Sequence, residues 1–248
     1  LLNFNDLSLD SNGNPEDSFD LGTGYRDYLT FFDNVNITTE NESAVLDNVT
    51  NVSGLVVDDI GYKGTGTLDA TIDASLVNED RLFFGTQGEV EITEVLSSDL
   101  IGFFYTTIGA SEITMQEGEQ TLNLELFTNE NGEADVSNLT VQGASTLAID
   151  SIAAEKVNKG KPNVLDFDSE TISDINVTGD YDLELRTPAN PMVDESGLVI
   201  DASDFDAKLN LTAAPDQDMI TIASDRNTAT DVAGLSLMIG DASGIVTL

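Results

Sequence analysis

From residue 28 onward the chain is cut into short β-forming runs, rich in Val, Ile, Leu, Thr and Phe and ended by Gly, Asn, Asp or Ser. Strands are expected at 28–32, 34–38, 54–58, 67–72, 90–95, 101–107, 121–127, 139–141, 146–149, 182–185, 198–200, 208–211, 219–222 and 235–239. TLNLELF alternates with period two, which places Leu122, Leu124 and Leu126 on one face. A helical reading survives only for short pieces such as 151–157. TNENGEAD (128–135), lying between TLNLELF and VSNLTV, reads as a hairpin turn. The class is all-β: a β-sandwich and/or parallel β-solenoid segments, in one large domain or two.

Imperfect internal similarity links NVTNVSGLVVDD (48–59), NLTVQGASTLAID (138–150), INVTGDYDLEL (175–185) and SGLVIDA (196–202). Each pairs a polar turn holding Gly or Ser with an apolar strand ending in acid. The copies are irregularly spaced, so a sandwich with repeated local grammar accounts for them about as well as a solenoid. EKVNKGKPN (155–163) holds Lys156, Lys159 and Lys161, a Gly and a Pro, and almost no apolar residue. That shift in composition predicts a linker at 158–163, between an N-terminal β domain (1–157) and a C-terminal one (164–248). A chain that opens at Leu1 is expected to be processed, trimmed or part of a longer polypeptide.

Charge narrows the function. Among 248 residues, 46 are Asp or Glu and 9 are Lys or Arg, a formal net charge of -37. Self-repulsion of that size opposes compaction unless cations screen or bind it. Nucleic acid and anionic membrane surfaces are unsuitable partners, because both are bound through Lys and Arg. No run of eighteen apolar residues suggests membrane insertion. Cys and His are both absent, and no Ser lies in a G-x-S-x-G elbow, so the usual nucleophile-and-base pairs cannot form. Carboxylate pairs are so abundant that none singles itself out, and no enzymatic activity is expected.

Calcium chemistry fits the acids better. In LDSNGNPEDSFD, Asp10, Asn12 and Asn14 have the alternate spacing that gathers oxygen ligands around a hard cation, with Gly13 allowing the turn. Leu21 stands where an EF-hand places its bidentate Glu, so Glu16, Asp17 or Asp20 would have to complete the shell. An Asx-rich turn accounts for the same letters. A second acid-rich stretch, 196–222, carries Asp201, Asp204, Asp206, Asp216 and Asp218 against Lys208 alone. Ca²⁺ bound at strand ends would let these carboxylates share one compact surface. Two aromatic groups, Tyr25, Tyr28, Phe31 and Phe32 and then Phe103, Phe104 and Tyr105, read as core strands or as a ligand-binding surface. Seven N-x-S/T sequons, at Asn36, Asn41, Asn48, Asn51, Asn138, Asn176 and Asn210, would be attachment points in a glycosylating host.

AAPDQDMIT (213–221) resembles the calcium-binding nonapeptide of type I-secreted (RTX-like) proteins. Asp218 falls on the Asp position and Ile220 on the large apolar one, while Ala213, Ala214 and Asp216 replace the three glycines. The wider stretch GLVIDASDFDAKLNLTAAPDQDMITI resembles the acidic β-strand repeats of bacterial surface-layer proteins, over about residues 165–248. The opening segments NFNDLSL and LGTGYRDYLTFFDNVNI are similar to secreted bacterial jelly-roll modules. The resemblance implies a secreted, cell-surface structural protein that assembles with copies of itself into a layer, sheath or filament stabilised by Ca²⁺. A calcium-dependent carbohydrate-binding module or adhesin, with a cell-surface glycan as partner, is the alternative.

Overall fold

The computed structural model describes residues 19–20, 28–32, 34–46, 49–50, 52–58, 67–104, 107–129, 132–154, 160–186, 198–213, 219–223, 236–239 and 245–247. Two long sheets dominate them, and every ladder in both is parallel. The first stacks Tyr28–Phe31, Gly54–Asp58, Arg81–Gly85, Leu100–Phe104, Thr121–Thr128, Thr146–Ala153, Asp174–Gly179, Leu198–Asp201, Met219–Ala223 and Ile245–Thr247 in that order. The second stacks Val35–Ile37, Ala70–Asp73, Val90–Val95, Ser111–Met115, Asp135–Gln142, Asn163–Asp168, Leu183–Arg186, Leu209–Ala213 and Ser236–Ile239. The chain alternates between the sheets, so each circuit adds one strand to each and rests on the circuit before it. This is a β-solenoid. A parallel pair needs a long crossover, and here the crossover is the strand of the opposite sheet.

Period-two alternation explains why both sheets form. Thr121–Thr128 buries Leu122, Leu124, Leu126 and Thr128 and turns the residues between them outward. In-register stacking then makes continuous inner rows. One runs Leu29, Leu55, Leu82, Ile101, Leu124, Ile149, Val177 on the first sheet; another runs Ile37, Ile72, Ile92, Ile113, Val141 on the second. These rows meet in one apolar core extending from Leu29 to Leu211. Burying a Leu or Ile contributes about 1.5–3 kcal/mol, so the core outweighs what any single turn contributes.

Turns are held by backbone bonds from coil to coil. Leu100 N–H donates to Asp80 O at 2.8 Å, Ser173 N–H to Ser145 O at 2.8 Å and Val199 N–H to Ser173 O at 2.9 Å. One helical turn, Glu40–Ser43, is capped at its start: the hydroxyl of the N-cap Thr39 accepts from Glu42 N–H, and the Glu42 carboxylate reaches back past the cap to accept from Thr38 N–H at 2.9 Å.

Two sequence expectations are corrected. TNENGEAD does not join a hairpin, because Thr121–Thr128 lies in the first sheet and Asp135–Gln142 in the second. Among the described residues of that stretch, Asn129 and Gly132 form an isolated antiparallel bridge. The expected helix at 151–157 begins as strand, since Ser151–Ala153 completes Thr146–Ala153; residues 155–159 lie outside the described residues. Around the expected linker, Asp135–Gln142 pairs with Asn163–Asp168, and Thr146–Ala153 pairs with Asp174–Gly179. Both ladders thus span residues 158–163.

Candidate functional site

The outer faces of the two sheets differ in chemistry. On the second, the outward row is Asn36, Thr71, Glu91, Glu112, Thr140, Asp168. Glu91 and Glu112 are exposed and directly opposed, in strands about 4.8 Å apart. Like charges so placed destabilise a ladder unless something offsets them. Gln142 Nε2 donates to Glu112 Oε1 at 2.6 Å, which satisfies one carboxylate without neutralising it. A register shift at 137–138 opens the strand beside this row. There Glu89, Glu91, Glu112, Asp166 and Asp168 line a concavity of about 660 Å³ with Asn138. Farther along, Arg186 bridges Glu184 at 2.7 Å and Asp166 at 3.3 Å. Its bond to Glu184, with Asp166 assisting, holds the guanidinium above its ordinary pKa.

The sequence carried a signal for this face. EIT occurs at Glu91–Ile92–Thr93 and again at Glu112–Ile113–Thr114. In the ladder Glu112 lies beside Glu91 and Ile113 beside Ile92. The shared triplet marks adjacent coils in register.

The first sheet presents a more apolar outer surface over its early coils. Tyr28 and Phe83 are half-buried and meet edge to face, with ring centroids 5.5 Å apart. The Phe83 ring fills the space over Gly102, where a Cβ would come within 2.0 Å of it. The aromatic groups noted in the sequence therefore divide. Phe31 and Phe103 are core, Phe104 is buried at 8 % exposure, and Tyr28 and Phe32 are half-buried. Tyr25 and Tyr105 lie outside the described residues.

Of the proposed calcium ligands, Asp201, Asp204 and Asp206 are described and all three are exposed. Asp201 ends its strand and accepts from the Ser203 hydroxyl at 2.6 Å and from Ser203 N–H at 3.0 Å. Those two bonds hold its carboxyl below the ordinary range. Asp204 lies in the following turn, and Asp206 N–H donates to Gly179 O at 2.9 Å. Asp10, Asn12, Asn14, Asp17, Asp216 and Asp218 lie outside the described residues. Among the described residues no group of three or more Asp or Glu is arranged to hold a metal ion.

A third set of acids sits where the chain re-enters the first sheet. Glu119 accepts from Ser97 N–H at 2.9 Å, and bonds from Ser97 hold its carboxyl low. Asp99, buried, accepts from Leu96 N–H at 2.8 Å, yet burial pushes its carboxyl up, with the charges of Asp80 and Glu119 adding. Glu79 is pushed up by burial as well. None of these was singled out in the sequence, because one corner acid reads like any other among 46.

No protein-family model, curated protein or solved structure matches the chain.

Proposed function

We propose that this chain is an extracellular structural protein, a self-assembling subunit of a surface layer, sheath or filament whose acids hold Ca²⁺. The observation that carries the reading is the pair of continuous parallel ladders. Among the described residues, Tyr28–Phe31 and Val35–Ile37 at one end, and Ser236–Ile239 and Ile245–Thr247 at the other, pair on one side only. A strand paired on one side offers a row of backbone donors and acceptors to another chain. A solenoid is quasi-one-dimensional, so adding copies along its axis extends the same ladders. The net charge of -37 opposes that addition, which is where calcium enters. Sites at 10–14 with Asp17, at 201–206 and at 216–218 supply the oxygen ligands in this reading. Several millimolar Ca²⁺ at an extracellular-type site stabilises by about 1–2.5 kcal/mol. No catalytic role is proposed.

A second reading, a carbohydrate-binding module or adhesin, draws on Tyr28 and Phe83 on the outer face of the first sheet. Electron microscopy and sedimentation of the chain in chelator and in millimolar Ca²⁺ separate the two. Ordered polymers in calcium that dissolve in chelator are expected. A chain that stays single at every calcium concentration overturns the structural reading, and glycan-array binding by that monomer would favour the second.

A further inference from the structure

Half-buried Glu79 carries the one enclosed side-chain oxygen without a partner among the described residues. Backbone N–H groups of Asn78 and of Glu79 itself bond its carboxyl, as backbone N–H groups bond Asp99, only 7 % exposed, and Glu119, but its Oε2 is enclosed and has no hydrogen-bond partner. Glu79 and Asp80 precede Arg81–Gly85, Asp99 precedes Leu100–Phe104, and Glu119 lies just before Thr121–Thr128. The acids thus occupy corresponding corners of three successive coils. Asp80 is the charge acting on Glu79, and Asp80 and Glu119 are the charges acting on Asp99. The strand Val90–Val95, packed on the Ala74–Leu76 turn, adds only the exposed Glu91 and Glu94. Arg81 is exposed, and the ion pairs of the described residues lie elsewhere, at Lys161–Glu133 and around Arg186. Among the described residues, the corner therefore holds an enclosed oxygen among carboxylates with no cation bonded to it.

We propose that this corner is a proton-binding seam: Glu79 takes a proton from solvent under mildly acidic conditions, which removes an enclosed charge and tightens the three coils. Burial acts on Glu79 in the matching direction, raising its pKa, as it does for Asp99. A carboxyl raised in the folded state destabilises above its folded pKa, and that penalty is relieved as pH falls through it. Glu42, Glu119 and Asp201 have the opposite sign, since their lowered values mean that stability is lost on acidification.

The test uses the whole chain in chelating buffer, with thermal unfolding followed from about pH 8 to about pH 5 for the native chain, Glu79→Gln and Asp80→Asn. Acid also discharges the other carboxylates, so the difference between native chain and Glu79→Gln is the readout. At neutral pH Glu79→Gln is expected to melt about 2–4 °C higher, with the gap closing in acid. The ¹³C resonance of the Glu79 carboxyl, identified by its loss in Glu79→Gln, is expected to titrate above the ordinary value of about 4.3 and to move down in Asp80→Asn. Equal pH slopes for native chain and Glu79→Gln, or a Glu79 midpoint at or below that ordinary value, overturn the proposal. If Glu79→Gln does not fold, the carboxyl midpoints of the native chain and Asp80→Asn decide, with the resonance assigned through the backbone.

Discussion

Asn163, fully buried, shows how one polar side chain can serve three coils. On the first sheet an inner row runs Phe31, Val57, Phe84, Phe103, Leu126 and then gives way to Ser151 and Gly179. The carboxamide of Asn163 works in the space that change leaves. Its Oδ1 accepts from the Thr128 hydroxyl at 2.6 Å and from Ala134 N–H at 2.9 Å. Its Nδ2 donates to Leu126 O at 2.9 Å and to the Ser151 hydroxyl at 3.1 Å, and that hydroxyl donates on to Tyr181 O at 3.0 Å. Every hydrogen-bonding position of the amide is used, so the network is fully satisfied rather than a burden on the core. Asn163→Ala would strand a buried N–H and a buried carbonyl together. Each such group costs about 1–3 kcal/mol, so a loss of about 3 kcal/mol is expected in denaturant unfolding, with Ser151→Ala costing less because it removes only the hydroxyl. A loss below about 1 kcal/mol for Asn163→Ala would mean that water replaces the amide.

At the scale of the element, two coils meet backbone to backbone at Gly179, the end of the Asp174–Gly179 strand. Its φ is +108°, and a Cβ there would lie 2.1 Å from the Ser151 carbonyl oxygen. Backbone cannot swing aside as a side chain can. Gly118 has a comparable φ of +94° but open space around it. Gly118→Ala therefore measures the conformational penalty alone, about 1–2 kcal/mol, and Gly179→Ala should cost clearly more in the same unfolding assay. Equal losses would show that the two coils can separate without penalty. This contact was hidden in the sequence, where Gly179 reads as one more turn glycine. The period-two strands were legible, because alternation in TLNLELF or the apolar run in GLVVD needs no partner to be seen. Arg81–Gly85, Ser111–Met115, Asn163–Asp168 and Asp174–Gly179 were not expected as strands. Each mixes Gly, Asn, Asp or Ser into the run, and the neighbouring coil, not local propensity, makes it β. The hairpin at 128–135 failed for a related reason: a Gly-bearing turn between two alternating runs looks the same whether the chain folds back or crosses to another sheet. The acidic candidates depend on three-dimensional convergence. The sequence offered abundance, and only the EIT triplets marked which acids stack.

Over the whole molecule, the difficulty is that identical charges are brought to strand spacing again and again. Glu91 opposes Glu112 on the second sheet, and Glu125 opposes Asp150 on the first. Two remedies exist, and they have different signatures. Screening by a monovalent salt weakens the repulsion of all exposed acids alike, acting beyond a Debye length of about 8 Å at physiological ionic strength and closer in as salt rises. A bound divalent ion instead replaces several water contacts with carboxylate and carbonyl oxygens at chosen points, so it works at millimolar concentration and depends on geometry. In the proposed function the second remedy dominates. Melting is measured in chelator, in chelator with sodium chloride, and after calcium is restored at matched ionic strength. Calcium is expected to raise the midpoint by about 2–4 °C for each kcal/mol of site binding, and well beyond what sodium achieves. Asp201→Asn with Asp206→Asn should shrink that calcium increment while leaving the sodium increment in place, because amides still accept hydrogen bonds but bind Ca²⁺ less tightly. If sodium alone restores the full midpoint, the acids are a solvated shell around the solenoid, and calcium has no structural part in it.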